Sequence, residues 1–129
     1  MTRASQRMTT ERPANDLEIR RKVDDMISYA YVAVRQFPKA ERHVLSAEIR
    51  KTCWQLLRLV IVCNKRYHKK TTMQDLDAEL EVLRHQVRKA MELGFLPMKK
   101  YTHWAMLNDE IGRMVGGWIK SQRSKGDGR

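Results

Sequence analysis

A chain of 129 residues suits a single domain with one hydrophobic core, and its 42% hydrophobic and 32% charged residues exclude an intrinsically disordered protein. Only three prolines and six glycines interrupt it, which favours long helices. The 26 Lys and Arg residues outnumber the 15 Asp and Glu residues, and the net charge of +11 attracts polyanions, among which nucleic acid is the commonest in a cell.

The first predicted helix follows a polar segment. Residues 1–15 lack periodicity and an apolar block, so we expect a flexible tail and no signal peptide. Asn15 or Asp16 can cap a helix that extends to about Gln36, because their side chains accept free N–H groups of the first turn. Phe37-Pro38 ends it, since the residue before a proline is disfavoured in the α region. Its predicted core stripe comprises Ile19, Val23, Met26, Ile27, Ala30, Val34 and Phe37.

The second predicted helix, residues 39–67, combines an apolar face with much of the positive charge. Residues 38–70 contain nine bases and two acids. Cys53 and Cys63 are ten residues apart on this helix, about 15 Å, so they cannot form a disulfide with each other. We expect buried free thiols in a reducing compartment, the cytoplasm. The predicted core face comprises Leu45, Ile49, Thr52, Cys53, Leu56, Leu59, Val60, Cys63 and Tyr67.

Two further helices complete the pattern. Thr72, with Asp75 three residues later, approximates a capping box for a helix over about 73–93, and Gly94 predicts a left-handed stop. Pro97 opens a helix to about Ser121, followed by a polar, basic tail at 122–129. The predicted inner faces comprise Leu76, Leu80, Leu83, Val87, Ala90 and Met91, then Trp104, Leu107, Ile111, Met114, Val115 and Trp118.

These elements predict an all-α protein. Four amphipathic helices joined by short turns most simply form an up-down-up-down antiparallel four-helix bundle, here over residues 16–121. No strand pattern competes with the helical periodicity, and we find no internal repeat. The most apolar run, 56–63, is short and contains Arg58, so we expect no membrane span.

A row of cations lies on the side of the second helix opposite its core face. Lys51, Arg58 and Lys65 are seven residues apart and therefore nearly aligned. One interpretation is an ordinary solvated helix face. Few acids neutralise the row, however, which favours contact with successive phosphates of a nucleic acid. Flanking cations extend it: Arg50, Arg66, Lys69 and Lys70.

The same outward side carries apolar residues. Trp54, Leu57, Ile61 and Val62 lie within a few turns of each other. Isolated exposed apolar residues need no explanation, but a cluster of this kind is more typical of an interface. We therefore predict self-association through these residues, which would also multiply the basic row.

Two other constellations have plain structural interpretations. Asp77, Glu81, Arg84 and Arg88 share one flank of the third helix, where Glu81 can pair with Arg84 or His85, while Arg88 has no obvious local acid. In the fourth helix Gly112, Gly116 and Gly117 each cost close to 1 kcal/mol relative to alanine. Glycines four residues apart let another helix approach closely, which is a packing feature.

Catalytic signals are weak. The four histidines, His43, His68, His85 and His103, are dispersed and show no metal-ligand spacing with cysteines or carboxylates. There is no phosphate-binding glycine loop and no nucleophile motif. We expect a protein without enzymatic activity, catalytic residues, metal site or cofactor.

Several segments together resemble a known family. They are residues 26–31 (MISYAY), Phe37-Pro38, residues 59–65 (LVIVCNK), Leu83-Arg84 with Arg88, and residues 111–119 (IGRMVGGWI). Over roughly 16–126 the chain resembles the four-helix-bundle proteins that include the accessory variability determinant (Avd) of diversity-generating retroelements. Relatives of Avd are encoded in intervening sequences of bacterial 23S ribosomal RNA genes.

The resemblance has implications beyond the residue patterns. Such proteins form ring-like homopentamers with a basic surface, and the Avd branch binds the retroelement reverse transcriptase and its nucleic acid to support mutagenic retrohoming. It implies that Arg84 and Arg88, which match basic family positions implicated in those contacts, take part in nucleic-acid binding. The expected partners are the reverse transcriptase, template RNA, RNA–DNA hybrid or cDNA, and further copies of the chain. High basicity favours the Avd branch, with the ribosomal-intervening-sequence branch or a pure protein-interaction scaffold as alternatives.

Overall fold

Four α-helices make up the part of the protein that the structure describes. The computed structural model describes the backbone of residues 16–127 and the side chains of residues 17–122. The helices are α1 (Asp16–Val34), α2 (Leu45–Lys65), α3 (Lys70–Glu92) and α4 (Met98–Asp127), with a short 3-10 helix (Lys39–Glu41) before α2. Each helix packs against its neighbour in sequence, and α4 also packs against α1. Because short connections join the consecutive helices, they run antiparallel and enclose one core.

The predicted all-α bundle is confirmed, and the described residues contain no β-strand. Most of the residues predicted for the inner faces of the helices are buried or pack against the core. Leu56, Leu83 and Trp104 are completely buried, and Leu45, Leu59, Met91, Leu107 and Met114 pack against the core while partly exposed. Among the described helices, none has the length and apolarity needed to cross a lipid bilayer.

The second helix is shorter than predicted at both ends. It begins at Leu45, where the carboxylate of Glu41 accepts the Leu45 N–H at 3.3 Å, and it ends at Lys65. Arg66 then adopts an extended conformation with φ −92° and ψ 148°. The prediction that Tyr67 belongs to the core face was therefore wrong. Its side chain is 91% exposed, because the chain leaves the helical path before reaching it.

The ends of α3 differ in how well they were predicted. It begins at Lys70, and the expected capping box at Thr72 and Asp75 does not form. Thr72 is instead a buried residue inside the first turn, and its hydroxyl accepts a hydrogen bond from Arg66 at 3.4 Å. The glycine stop is confirmed: Gly94 has φ +83°, and its N–H bonds to the carbonyl of Met91 at 3.0 Å. This geometry is that of a Schellman C-cap.

The fourth helix runs to Asp127, past its predicted end near Ser121. Its residues 122–125 include no proline or glycine that would interrupt the helical hydrogen bonds. The expected N-terminal tail, residues 1–15, lies outside the described residues, as do the side chains of the basic segment beyond residue 122.

A sulfur-rich cluster lies at the centre of the core. The indole Nε1–H of Trp104 donates to Met26 Sδ at 3.4 Å, and the Cys53 thiol lies 3.9 Å from the same sulfur. Cys53 and Cys63 are both buried, and neither forms a disulfide within the described residues, as predicted. Burial raises the pKa of the Cys53 thiol to about 12, because the thiolate would lose its hydration.

The glycines of α4 do not bring two helix backbones together within this chain. The space beside Gly112 is occupied by the guanidinium of Arg84, and an added Cβ would overlap its Nη2 atom. Nothing lies within 4 Å of the Cβ position at Gly116 or Gly117. The structure therefore explains Gly112 as room for an arginine side chain, and it leaves the other two glycines without a packing partner inside the described chain.

We predict that the cysteines are protected in the folded protein. At pH 8 a disulfide reagent such as DTNB should react with neither thiol in buffer and with two thiols per chain in guanidinium chloride. Above pH 9.0 the unfolded chain loses the Cys53 proton before the folded one does, so the free energy of unfolding should decrease up to about pH 12. Rapid labelling of the native protein would contradict this prediction.

We predict that substitution by alanine affects stability differently at two glycines of α4. Gly116→Ala should raise the free energy of unfolding by about 0.5–1 kcal/mol, because alanine has the higher helix propensity and meets no neighbour. Gly112→Ala should gain less, since its methyl group must displace the Arg84 guanidinium. Urea denaturation at fixed protein concentration measures both. A destabilising Gly116→Ala would show that another molecule covers this position.

Candidate nucleic-acid interface

The aligned cations of α2 form an exposed row, as predicted. Lys51, Arg58 and Lys65 are all exposed. None of these three side chains forms a hydrogen bond or ion pair with another group in residues 17–122. Seven residues correspond to about 10 Å along a helix, so the row follows the axis for about two such steps. We call these three residues the cation row.

Two of the flanking cations, Arg50 and Lys69, also stabilise the local backbone. Arg50 donates to the carbonyls of Ser46 at 3.3 Å and Arg42 at 3.0 Å, which ties the preceding turn to α2. Lys69 donates to the carbonyls of Cys63 at 2.8 Å and Arg66 at 2.7 Å and so satisfies the end of α2. These two side chains are fixed more firmly than the cation row, although they keep their positive charge.

The two remaining cations of this region differ in their surroundings. Arg66 donates to the Thr72 hydroxyl, and Lys70 is exposed with no partner among the described side chains. The helix itself contains a single acid, Glu48, which is exposed and forms no ion pair with the described cations. Positive charge on this side of α2 is therefore almost uncompensated locally.

Arg84 and Arg88 lie on a different surface, where α3 meets α4. Arg84 Nη2 is 3.3 Å from Asp109 and 3.4 Å from the carbonyl of Asn108, and its Nη1 is 3.7 Å from Glu81. The predicted local pair with Glu81 is present, but sequence reasoning missed Asp109, which belongs to another helix. Clefts of about 290 and 300 Å³ lie on this surface, and Arg84 lines both of them.

Arg88 is not without an acid, contrary to the sequence prediction. Its Nε lies 3.2 Å from Glu92, four residues later, and Lys89 contacts the same carboxylate at 3.1 Å. Lys89, and then Arg88, hold the pKa of Glu92 below its ordinary value by hydrogen bonding and charge attraction. Both are exposed surface pairs, whose contribution to stability is small.

Asn108 is a buried polar residue that the sequence analysis missed. It is 1% exposed, and neither its side-chain oxygen nor its nitrogen has a partner among the described residues. Arg84 Nε on the facing helix is likewise unpartnered. The signal in the sequence was a single polar residue four positions after Trp104, on the inner stripe of α4. Polar groups therefore lie buried beneath the α3–α4 surface as well as exposed on it.

The residues predicted for self-association differ in their exposure. Trp54 is 50% exposed, whereas Leu57, Ile61 and Val62 are only partly exposed, and Leu57 packs against the core. The indole Nε1–H of Trp54 donates to the hydroxyl of Tyr31 on α1 at 2.9 Å. Tyr31, which was not predicted as a site residue, is 38% exposed, and the Arg50 guanidinium lies 5.9 Å from its ring centroid.

The two surfaces differ in how their positive charges are compensated. The outer side of α2 presents unpaired cations beside aromatic and aliphatic side chains, and the α3–α4 surface presents paired charges. In residues 17–122, no three His, Cys, Asp or Glu side chains come close enough together to hold a metal ion.

Comparison with known proteins places this chain in a family. The model of a family described as bAvd-like matches residues 17–122, which include α1, α2, α3 and most of α4. No curated protein matches the chain. The family match covers more than half of the sequence and agrees with the four-helix architecture. The chain therefore belongs to the bAvd-like family.

Proposed function

We propose that this protein is a non-enzymatic accessory subunit of a diversity-generating retroelement. In this proposal it binds template RNA or cDNA together with the reverse transcriptase and so supports mutagenic retrohoming. Membership of the bAvd-like family supports an Avd-like role. The observation that carries the nucleic-acid part is the cation row of α2, which is exposed and has no described acidic partner.

Recognition in this proposal is by charge rather than by base sequence. Lys51 and Lys65 carry compact charges on flexible stems, and such side chains contact phosphate oxygens without reading base edges. Binding displaces counterions from the nucleic acid, so affinity depends steeply on salt. Arg50, Arg66, Lys69 and Lys70 add to the local positive potential even where they also hold backbone carbonyls or the Thr72 hydroxyl.

Protein partners are assigned to the aliphatic residues on the outer side of α2 and to the α3–α4 surface. Ile61 and Val62 are aliphatic, partly exposed and on the outer half of α2, which suits them to a contact with further copies of the chain in a homopentamer. Arg84 and Arg88 sit in the polar α3–α4 surface, which we assign to the reverse transcriptase. Mixed positive and negative charges of this kind suit a protein partner, because they give specificity and orientation.

A second candidate function rests on that same mixed surface. Arg84 and Arg88 both have acids beside them, so this face lacks the uncompensated charge of a phosphate-binding surface. A protein-interaction scaffold, or a subunit of the ribosomal-intervening-sequence type without a reverse-transcriptase partner, would use this face and would not need nucleic acid. Salt-dependent binding to RNA separates the two candidates.

We predict that reversing the cation row abolishes RNA binding without unfolding the bundle. The triple variant Lys51→Glu, Arg58→Glu and Lys65→Glu removes exposed cations and reduces the net charge from +11 to +5. For the unmodified protein, log K should fall with log salt at a slope of about −4 to −5 if about five phosphates are contacted. Fluorescence anisotropy with a labelled RNA measures both quantities, and circular dichroism checks the helical content.

The matched control lies on the opposite side of the bundle. Lys99, Arg113 and Lys120 are exposed residues of α4, which does not contact α2. Reversing these three gives the same net charge of +5, so it tests whether total charge or position matters. Equal losses in both triple variants would contradict an assignment to α2. Weak binding of the unmodified protein with little salt dependence would favour the scaffold.

We predict an assembly of five subunits that depends on the aliphatic side of α2. Sedimentation equilibrium should give five times the chain mass of 15.3 kDa, and Ile61→Lys should shift the mass to that of one chain. Val82→Lys, at an exposed position of α3, is the control and should leave the mass unchanged. A single-chain mass for the unmodified protein would contradict the proposed oligomer.

A further inference from the structure

Two aromatic rings are exposed beside the cation row. Trp54 and Tyr31 come from different helices and are 50% and 38% exposed. The other two tryptophans, Trp104 and Trp118, are buried. Exposure of one tryptophan needs no explanation by itself, so the case for a partner depends on the groups around the two rings.

The rings are held in place by their own polar groups. The hydrogen bond from Trp54 to Tyr31, 2.9 Å long, uses the single donor of the indole. The guanidinium of Arg50 lies over one face of the Tyr31 ring and is itself anchored to the carbonyls of Ser46 and Arg42. What Trp54 still offers to a partner is π surface rather than a hydrogen-bonding group. A ring fixed in advance loses little entropy when a partner stacks on it.

Free cations lie one helical turn before and after the tryptophan. Lys51 precedes Trp54 by three residues and Arg58 follows it by four, spacings that put Cβ atoms about 5–6 Å apart on one side of a helix. Both are exposed and have no described partner. The arrangement of ring, lysine and arginine matches the combination of base stacking and backbone neutralisation that proteins use for single-stranded nucleic acid.

We propose that Trp54 and Tyr31 form a stacking platform for unpaired bases, so that α2 binds single-stranded RNA or cDNA in preference to a duplex. In a duplex the base faces are already stacked on one another, and only phosphates reach the cation row. In a single strand one base can stack on the indole while its neighbouring phosphates contact Lys51 and Arg58. This inference rests on the proposed function, because it specifies the class of nucleic acid that the same surface takes.

Charge argues against the α2 helix of a second copy as the occupant of this platform. A subunit packed over Trp54 would also cover Lys51 and Arg58, and buried cations must be paired to avoid a large desolvation cost. Two copies packed with α2 against α2 would bring together one acid, Glu48, and four bases from each helix, so these cations could not all be paired. A nucleic acid supplies an apolar base face and negative phosphates together, which complements the platform and the cations at once.

Tryptophan fluorescence tests the platform directly. Because Trp104 and Trp118 are buried, quenching caused by a single-stranded RNA should come from Trp54. We expect an oligouridylate to quench part of the emission of the full-length protein, and a hairpin duplex with the same number of phosphates to quench much less. In the variant Trp54→Leu the remaining emission should not respond to either RNA.

The RNA affinities of two Trp54 variants distinguish base stacking from simple apolar contact. Trp54→Leu keeps apolar bulk but lacks a π face, and it should weaken single-strand binding by roughly tenfold or more while leaving duplex binding unchanged. Trp54→Phe retains a smaller ring and should fall between Trp54→Leu and the unmodified protein. Tyr31→Leu should also weaken single-strand binding, since it removes the partner that holds the indole. Subunit number is measured for each variant by sedimentation.

Three outcomes would overturn the platform. If Trp54→Leu binds both RNAs like the unmodified protein, while reversal of the cation row still abolishes binding, the platform is wrong and the proposed function stands. If Trp54→Leu changes the subunit number and leaves the ratio of single-strand to duplex affinity intact, Trp54 belongs to a subunit interface. If the unmodified protein binds neither RNA at low salt, both the platform and the proposed function are wrong.

Discussion

Burial of one face of α2 is the constraint on which the rest of the structure depends. Leu56 and Val60 have no exposed surface, because α1 and α3 both pack against this helix. Replacing a buried leucine by alanine costs about 2–5 kcal/mol, a large part of the roughly 5–15 kcal/mol that keeps a domain folded. The rotation of α2 about its axis is therefore determined, and Lys51, Arg58 and Lys65 are held in solvent as a consequence.

Positive charge serves different physical purposes in different parts of this chain. Arg50 and Lys69 donate to backbone carbonyls near the two ends of α2, and Arg84 joins α3 to α4 through Asp109. The exposed cations of α2 have no comparable partner within the described chain. A high net charge thus does not identify a binding surface by itself. The cations without local partners are those whose charge is free to neutralise phosphates.

Aromatic, aliphatic and cationic side chains share the outer side of α2, so the proposed nucleic acid and the proposed second subunit would use the same helix. Trp54 has its donor satisfied by Tyr31 and lies between cations, whereas Ile61 and Val62 are aliphatic and partly buried. Aromatic faces suit bases, and aliphatic surface suits another subunit. In the proposed function, one helix therefore binds nucleic acid and also contacts a second subunit.

The amino-acid sequence by itself determined the helices, their inner faces and the outward direction of the cation row, because all of these follow from the 3.6-residue period within one segment. It also determined the stop at Gly94, which depends on local backbone freedom. Only the tertiary structure decided that Tyr31 meets Trp54, that Asp109 meets Arg84 and that Tyr67 leaves the core. The first two outcomes depend on how neighbouring helices are rotated and offset along their axes, which no single segment encodes. The third follows from the end of α2 at Lys65, where no glycine or proline in the sequence marks a stop.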